Sequence, residues 1–182
     1  MRWVYYYCWV SLFFEVFNKS LALLFQNNMP GFHLSSVADI IVFSILFRIL
    51  IQAPSKRVWI GLNVFPFLVY AVVDALYFGI FRINSFTKVF MALVMITYSA
   101  LYFREQMQCF SSLPKMKDSS FWVVCGIFFY YSSNLFLFAF SGVIQASTTL
   151  VMSDFWHLHS VNLFILYTCL TIALRLESGW LN

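Results

Sequence analysis

Apolar runs of twenty or more residues alternate with short polar breaks along the chain, and this spacing predicts a polytopic helical membrane protein. A hydrocarbon core about 30 Å thick takes about twenty helical residues at about 1.5 Å each. Six segments reach that length: 3–25, 33–53, 58–81, 86–108, 120–144 and 154–175. The breaks between them read as turns. "QNNMPGF" and "QAPSKR" set proline beside polar residues, "FRINSF" is short, and "SSLPKMKDSS" is the one longer loop. Period-two alternation is missing, which argues against a membrane β-barrel. The expected fold class is therefore all-α: residues 1–182 form a single transmembrane domain, an integral membrane six-helix bundle, with no room for a separate soluble domain.

Composition agrees. Hydrophobic residues make up 62% of the chain and charged ones 10%, against about 25% charged in soluble domains. The net charge of +4 reports topology rather than affinity for nucleic acid, because the basic residues sit in separate short loops and form no stripe. Arg2, Arg48, Lys56, Arg57, Arg104, Lys115, Lys117 and Arg175 fall on one face of a six-span arrangement, and only Arg82 and Lys88 on the other. Both termini are thus expected in the cytoplasm. Trp3, Trp59, Trp122 and Trp156 fall at span ends, where interfacial anchors belong. The apolar run after Arg2 lacks a signal-peptide cleavage pattern and is broken by Glu15, Asn18 and Lys19, so it reads as a retained first span. Cys8, Cys109, Cys125 and Cys169 show no metal or redox spacing and are expected to be free thiols.

The candidate chemistry lies in polar groups inside the spans. A charged side chain costs about 2.5–3.5 kcal/mol at a helix centre on insertion scales, so those retained face the bundle interior and find partners. At about 1.5 Å per residue, Asp39 and Asp74 lie about 9 Å below the outer boundary, with Lys19, Glu15 and His159 at a similar or somewhat greater depth. Glu15 and Lys19 are spaced i, i+4 and are expected to pair on one helix face. Three acids against one lysine leave negative charge for a proton, a cation or a histidinium to balance. In "SDFWHLHSVN", His157 and His159 point about 200° apart on a helix and cannot share a metal, whereas His159 and Asn162 share a face. Asp154 reads as an N-cap. Asn134 and Tyr130, one turn apart in the fifth span, are either interhelix glue or the floor of the same pocket. The expected ligand-binding set is Glu15, Lys19, Asp39, Asp74, Asn134, His159 and Asn162, with no cofactor and no catalytic residue.

The stretches "LFFEVFNKSLALLFQNN", "FSILFRILI", "FWVVCGIFFYYSSNLFLFAFS" and "FWHLHSVNLFILYTCLTIALRL" resemble a group of uncharacterised multi-spanning membrane proteins from Bacteroidetes, some of them similar to the membrane sensor region of histidine kinases. The resemblance implies a sensor role, and the polar layer of Glu15, Lys19, Asp39, Asp74 and His159 leads to the expectation of a non-enzymatic sensory or signalling-accessory module that takes a small-molecule, lipid or proton ligand. With the chain ending at "ESGWLN", output would pass through a cytoplasmic partner or a second copy of the chain. "EVFN" and the histidine-bearing last span are also similar to ceramidase-like zinc hydrolases. Those enzymes use histidines at i, i+4, where this chain has "HLH", which removes the geometry that would activate water. A third expectation is a small ion or proton transporter or channel subunit.

Overall fold

The computed structural model of the protein describes residues 2–108, 118–145 and 149–178. The described chain is helical: α1 (Arg2–Phe25), α2 (Met29–Leu50), α3 (Pro54–Phe78), α4 (Ser85–Gln108), α5 (Ser119–Gln145) and α6 (Thr149–Glu177). All six are long and apolar enough to cross a membrane. Large apolar side chains also stand outward on them, with Leu23 84%, Leu76 81% and Phe164 72% exposed. Water would penalise such a surface, and lipid would not. The described residues form six helices, each compatible with a membrane span, and together they suggest a multi-pass membrane protein.

The observed ends refine the expected spans. Helices α2 and α3 begin at 29 and 54 rather than 33 and 58, each with proline in its first two positions. Proline lacks an N–H, and the first helical N–H groups have no partner in any case, so a "turn" proline here opens the helix. Helix α6 begins at Thr149, before Asp154, which is exposed on the helix and is not its cap. Proline 66 lies inside α3, which runs on through it.

Three short connections enforce antiparallel neighbours. After α1 the backbone turns through Gln26 at φ 54°, in the left-handed region that ends helices, and the Asn27 carboxamide oxygen accepts from Met29 N at 2.9 Å. Gly79 closes α3 at φ 91° and ψ 135°, a conformation in which a Cβ is strained. At the opposite end of the bundle, the Glu105 carboxylate accepts from Gln52 N at 3.0 Å and Ala53 N at 2.8 Å, while Arg57 Nε donates to Ile51 O at 2.6 Å. The α2–α3 turn is thereby clamped to the last turn of α4.

Packing is most extensive between α5 and α6 and between α4 and α5, with α2 against α1, α3 and α4. The half of the bundle bearing the α2–α3 turn is filled by fully buried Phe47, Met95, Tyr98, Val124 and Ile127, with Leu170 and Ala173 from α6. Gly126 permits the α5–α6 approach: a Cβ built there would meet the Cys169 Cβ at 2.8 Å and the Leu166 Cδ1 at 3.2 Å. Small residues at such crossings let helices approach closely in lipid. Cys8, Cys125 and Cys169 are free thiols. Cys109, Lys115 and Lys117 lie outside the described residues.

Candidate functional site

The half of the bundle bearing the α1–α2 and α3–α4 connections contains a cavity of about 130 Å³, room for several waters. Five helices line it. Helix α1 contributes Tyr7, Ser11, Phe14, Glu15 and Asn18, spaced three and four residues apart and hence on one face. Helix α2 brings Phe32, Ser35 and Asp39, α4 brings Lys88, α5 brings Tyr130, Phe138 and Ser141, and α6 brings Trp156, His159, Leu163 and Tyr167.

The charged core of the cavity is Asp39, Lys88 and Glu15. Asp39 and Lys88 are near enough for each charge to act on the other, yet they form no direct ion pair. Lys88 lies at the start of α4, one turn after Asn84, whose backbone carbonyl accepts from Lys88 N at 3.0 Å. Its ammonium stands 6.0 Å from the Phe32 ring centroid, within cation–π range. The Asn84 side chain donates to Phe32 O at 3.2 Å and Ser36 Oγ at 2.9 Å, locking the start of α4 against α2. His33 Nε2 joins Arg82 O at 3.2 Å at the same corner. Two carboxylates against one lysine leave the cavity one negative charge in excess when His159 is neutral.

His159 is held in a defined orientation. Asn134 Nδ2 donates to Tyr130 O at 2.8 Å, which fixes the carboxamide, because a carbonyl only accepts. Asn134 Oδ1 then faces His159 Nδ1 at 2.9 Å, so Nδ1 carries the hydrogen. A neutral ring in this tautomer keeps its Nε2 lone pair available. Trp156, Tyr130 and Phe138 pack around the imidazole with centroids at 5.8, 5.9 and 6.1 Å. Ser11 Oγ and Tyr167 OH, 2.5 Å apart, tie α1 to α6 at the deep end.

Of the residues expected from the sequence, Glu15, Asp39 and His159 line this cavity, and Asn134 supports it through His159. Asn162, one turn below His159, is buried with Nδ2 unpartnered and does not line it. Lys19 is exposed, outside the lining, and not ion-paired to Glu15. Asp74 is elsewhere: it is 4% exposed, accepts from Thr87 Oγ1 at 2.7 Å, and borders a separate recess with Arg82 and Ser85. The cavity lysine is thus Lys88, which the positive-charge count assigns to a loop flank. Its signal was its place one turn beyond Asn84, inside the helix that "FRINSF" starts. Trp156 faces the cavity, stacked on Phe32 with centroids at 6.4 Å, and is more than an interfacial anchor.

Among the described residues no three His, Cys, Asp or Glu side chains converge in a way that would hold a metal ion. Comparison of the chain with protein-family models, with curated proteins and with solved structures finds no match.

Proposed function

We propose that the protein is a non-enzymatic sensory or signalling-accessory module of a bacterial inner membrane, with both termini cytoplasmic, which binds a small ligand in the cavity of its exoplasmic half. The observation that carries this reading is the convergence of Glu15, Asp39, Lys88 and His159, from four different helices, on one cavity. Ionisable groups at membrane depth are expensive and persist where they meet a ligand, a proton or each other. The charge distribution supports the orientation: Arg48, Lys56, Arg57, Arg104 and Arg175 all lie toward the other end of the helices. The resemblance to kinase sensor regions points the same way. Helix α4 carries Lys88 near one end and the Glu105 clamp at the other, and α2 carries Asp39 midway along and the clamped turn at its C-terminal end. A ligand that changes the spacing of those two helices therefore acts on the turn where a cytoplasmic partner would dock.

Native mass spectrometry of protein released from its own membrane is expected to show one small adduct on the wild type. An Asp39→Asn/Lys88→Met double variant, still folded, is expected to lack it. Hydrogen exchange over residues 51–57 is expected to differ between the two. No adduct on the wild type, with identical exchange in both proteins, would contradict the reading.

A further inference from the structure

Glu15 lines the cavity and is exposed at its rim. It is also about 20 Å along a helix of 24 residues, which puts it well inside the hydrocarbon layer. A carboxyl at that depth is balanced by a proton or by a counter-charge. Lys19, the available neighbour on α1, is not ion-paired to it, and Lys88 is coupled to Asp39. With both carboxyls ionised, the formal excess charge of the site is one negative charge, and Glu15 sets it at the rim.

The rim is a seam. Helix α1 packs chiefly on α2, and the Ser11–Tyr167 hydrogen bond joins it to α6 at the deep end. Between that bond and the outer ends of the two helices, the Glu15 face of α1 stands opposite Trp156, His159 and Leu163 across the cavity. The surface flanking Glu15 is apolar, with Leu12 53% and Val16 57% exposed. Aromatic rings form much of the wall, and they favour an organic ammonium over a strongly hydrated inorganic cation.

Resting on the reading of the cavity as a ligand site, we propose that it takes an ammonium group borne on an apolar chain, the ammonium against Glu15 and Asp39 and the chain lying in the α1–α6 seam. The ligand enters sideways from the bilayer, and its charge completes the neutrality of the site.

The test uses the full chain in uncharged maltoside micelles with decylammonium, ethylammonium and decanoate as probes, read by calorimetry and thermal shift. Decylammonium is expected to saturate one site, at least tenfold tighter than ethylammonium. Glu15→Gln is expected to weaken it at least tenfold without lowering the unliganded melting temperature. Trp156→Leu, which keeps the carboxylates and removes an aromatic wall, is expected to weaken it by about threefold to tenfold. Equal affinity for ethylammonium would overturn the bilayer source, in favour of a soluble amine. Decanoate binding that depends on Lys88 would overturn the charge assignment. Loss of self-association in Glu15→Gln, with probe binding unchanged, would overturn the proposal in favour of a second copy at the seam. The cavity reading is judged separately, since its adduct test is indifferent to the charge of the ligand.

Discussion

Gly126→Leu is expected to unfold the α5–α6 pair in mild denaturing mixtures where the wild type stays intact. The reason is geometric. A Cβ at 126 would lie 2.8 Å from the Cys169 Cβ, an atom fixed to the α6 backbone, and 3.5 Å from the Leu166 carbonyl oxygen. Neither can rotate away, so the helices themselves must separate, and α5–α6 is among the most extensive contacts of the bundle. Overpacking of this kind costs about 1–3 kcal/mol for modest insertions. Gly126→Ala is expected in that range and Gly126→Leu above it, with Cys169→Gly recovering part of the alanine effect. Gly31 provides the contrast. A Cβ there would meet Asn18 Oδ1 at 1.9 Å, a worse overlap on paper, but that oxygen ends a side chain and has no hydrogen-bond partner to lose. Gly31→Ala is expected to cost less than Gly126→Ala. Reversible unfolding in mixed micelles measures all four variants, and a wild-type transition for Gly126→Leu would refute the packing described here.

Lys88→Met is expected to have the second large effect, through charge rather than shape. It leaves Asp39 and Glu15 as two carboxyls in one cavity without the nearby cation, and a buried charge that loses its opposite neighbour is costly. Asp39→Asn is expected to relieve this, so that the double variant is more stable than the sum of the single changes predicts. A coupling of about 0.5–3 kcal/mol is the range for groups that share a network. Lys19→Met, at an exposed position outside the cavity, is expected to stay within about 0.5 kcal/mol of wild type. If the two lysines behaved alike, Lys88 would have no special place in the site.

The six helices were legible in the sequence because a bilayer demands about twenty apolar residues per span and the chain supplies six such runs. Their ends were less so. Hydropathy marks where side chains turn apolar, while Pro30 and Pro54 mark where the backbone becomes helical, and at α2 and α3 these differ by four residues. Within the site, depth along a helix was readable and rotation about it was not. Glu15, Asp39 and Asp74 all have suitable depth, yet α3 turns Asp74 toward Thr87 of α4. Lys88 was hidden by its position at a span edge, where a lysine is expected to reach for headgroup water. Asn134 and His159 were each recognisable, but their hydrogen bond spans two helices, and spacing within one helix does not contain it.

The proposed function requires that side chains of α1, α2, α4, α5 and α6 enclose a polar, accessible space inside the hydrocarbon layer. Cysteine reactivity at two adjacent positions of α6 measures this, with Leu163 on the cavity wall and Phe164 72% exposed on the outer face. With the native cysteines replaced by alanine, both thiols lie at nearly equal depth and differ only in what surrounds them. A thiol reacts through its thiolate, which hydrocarbon suppresses. The cavity predicts that Leu163→Cys reacts with an ammonium-bearing methanethiosulfonate at least tenfold faster than Phe164→Cys, and that decylammonium slows it. Equal rates at the two positions would contradict the cavity.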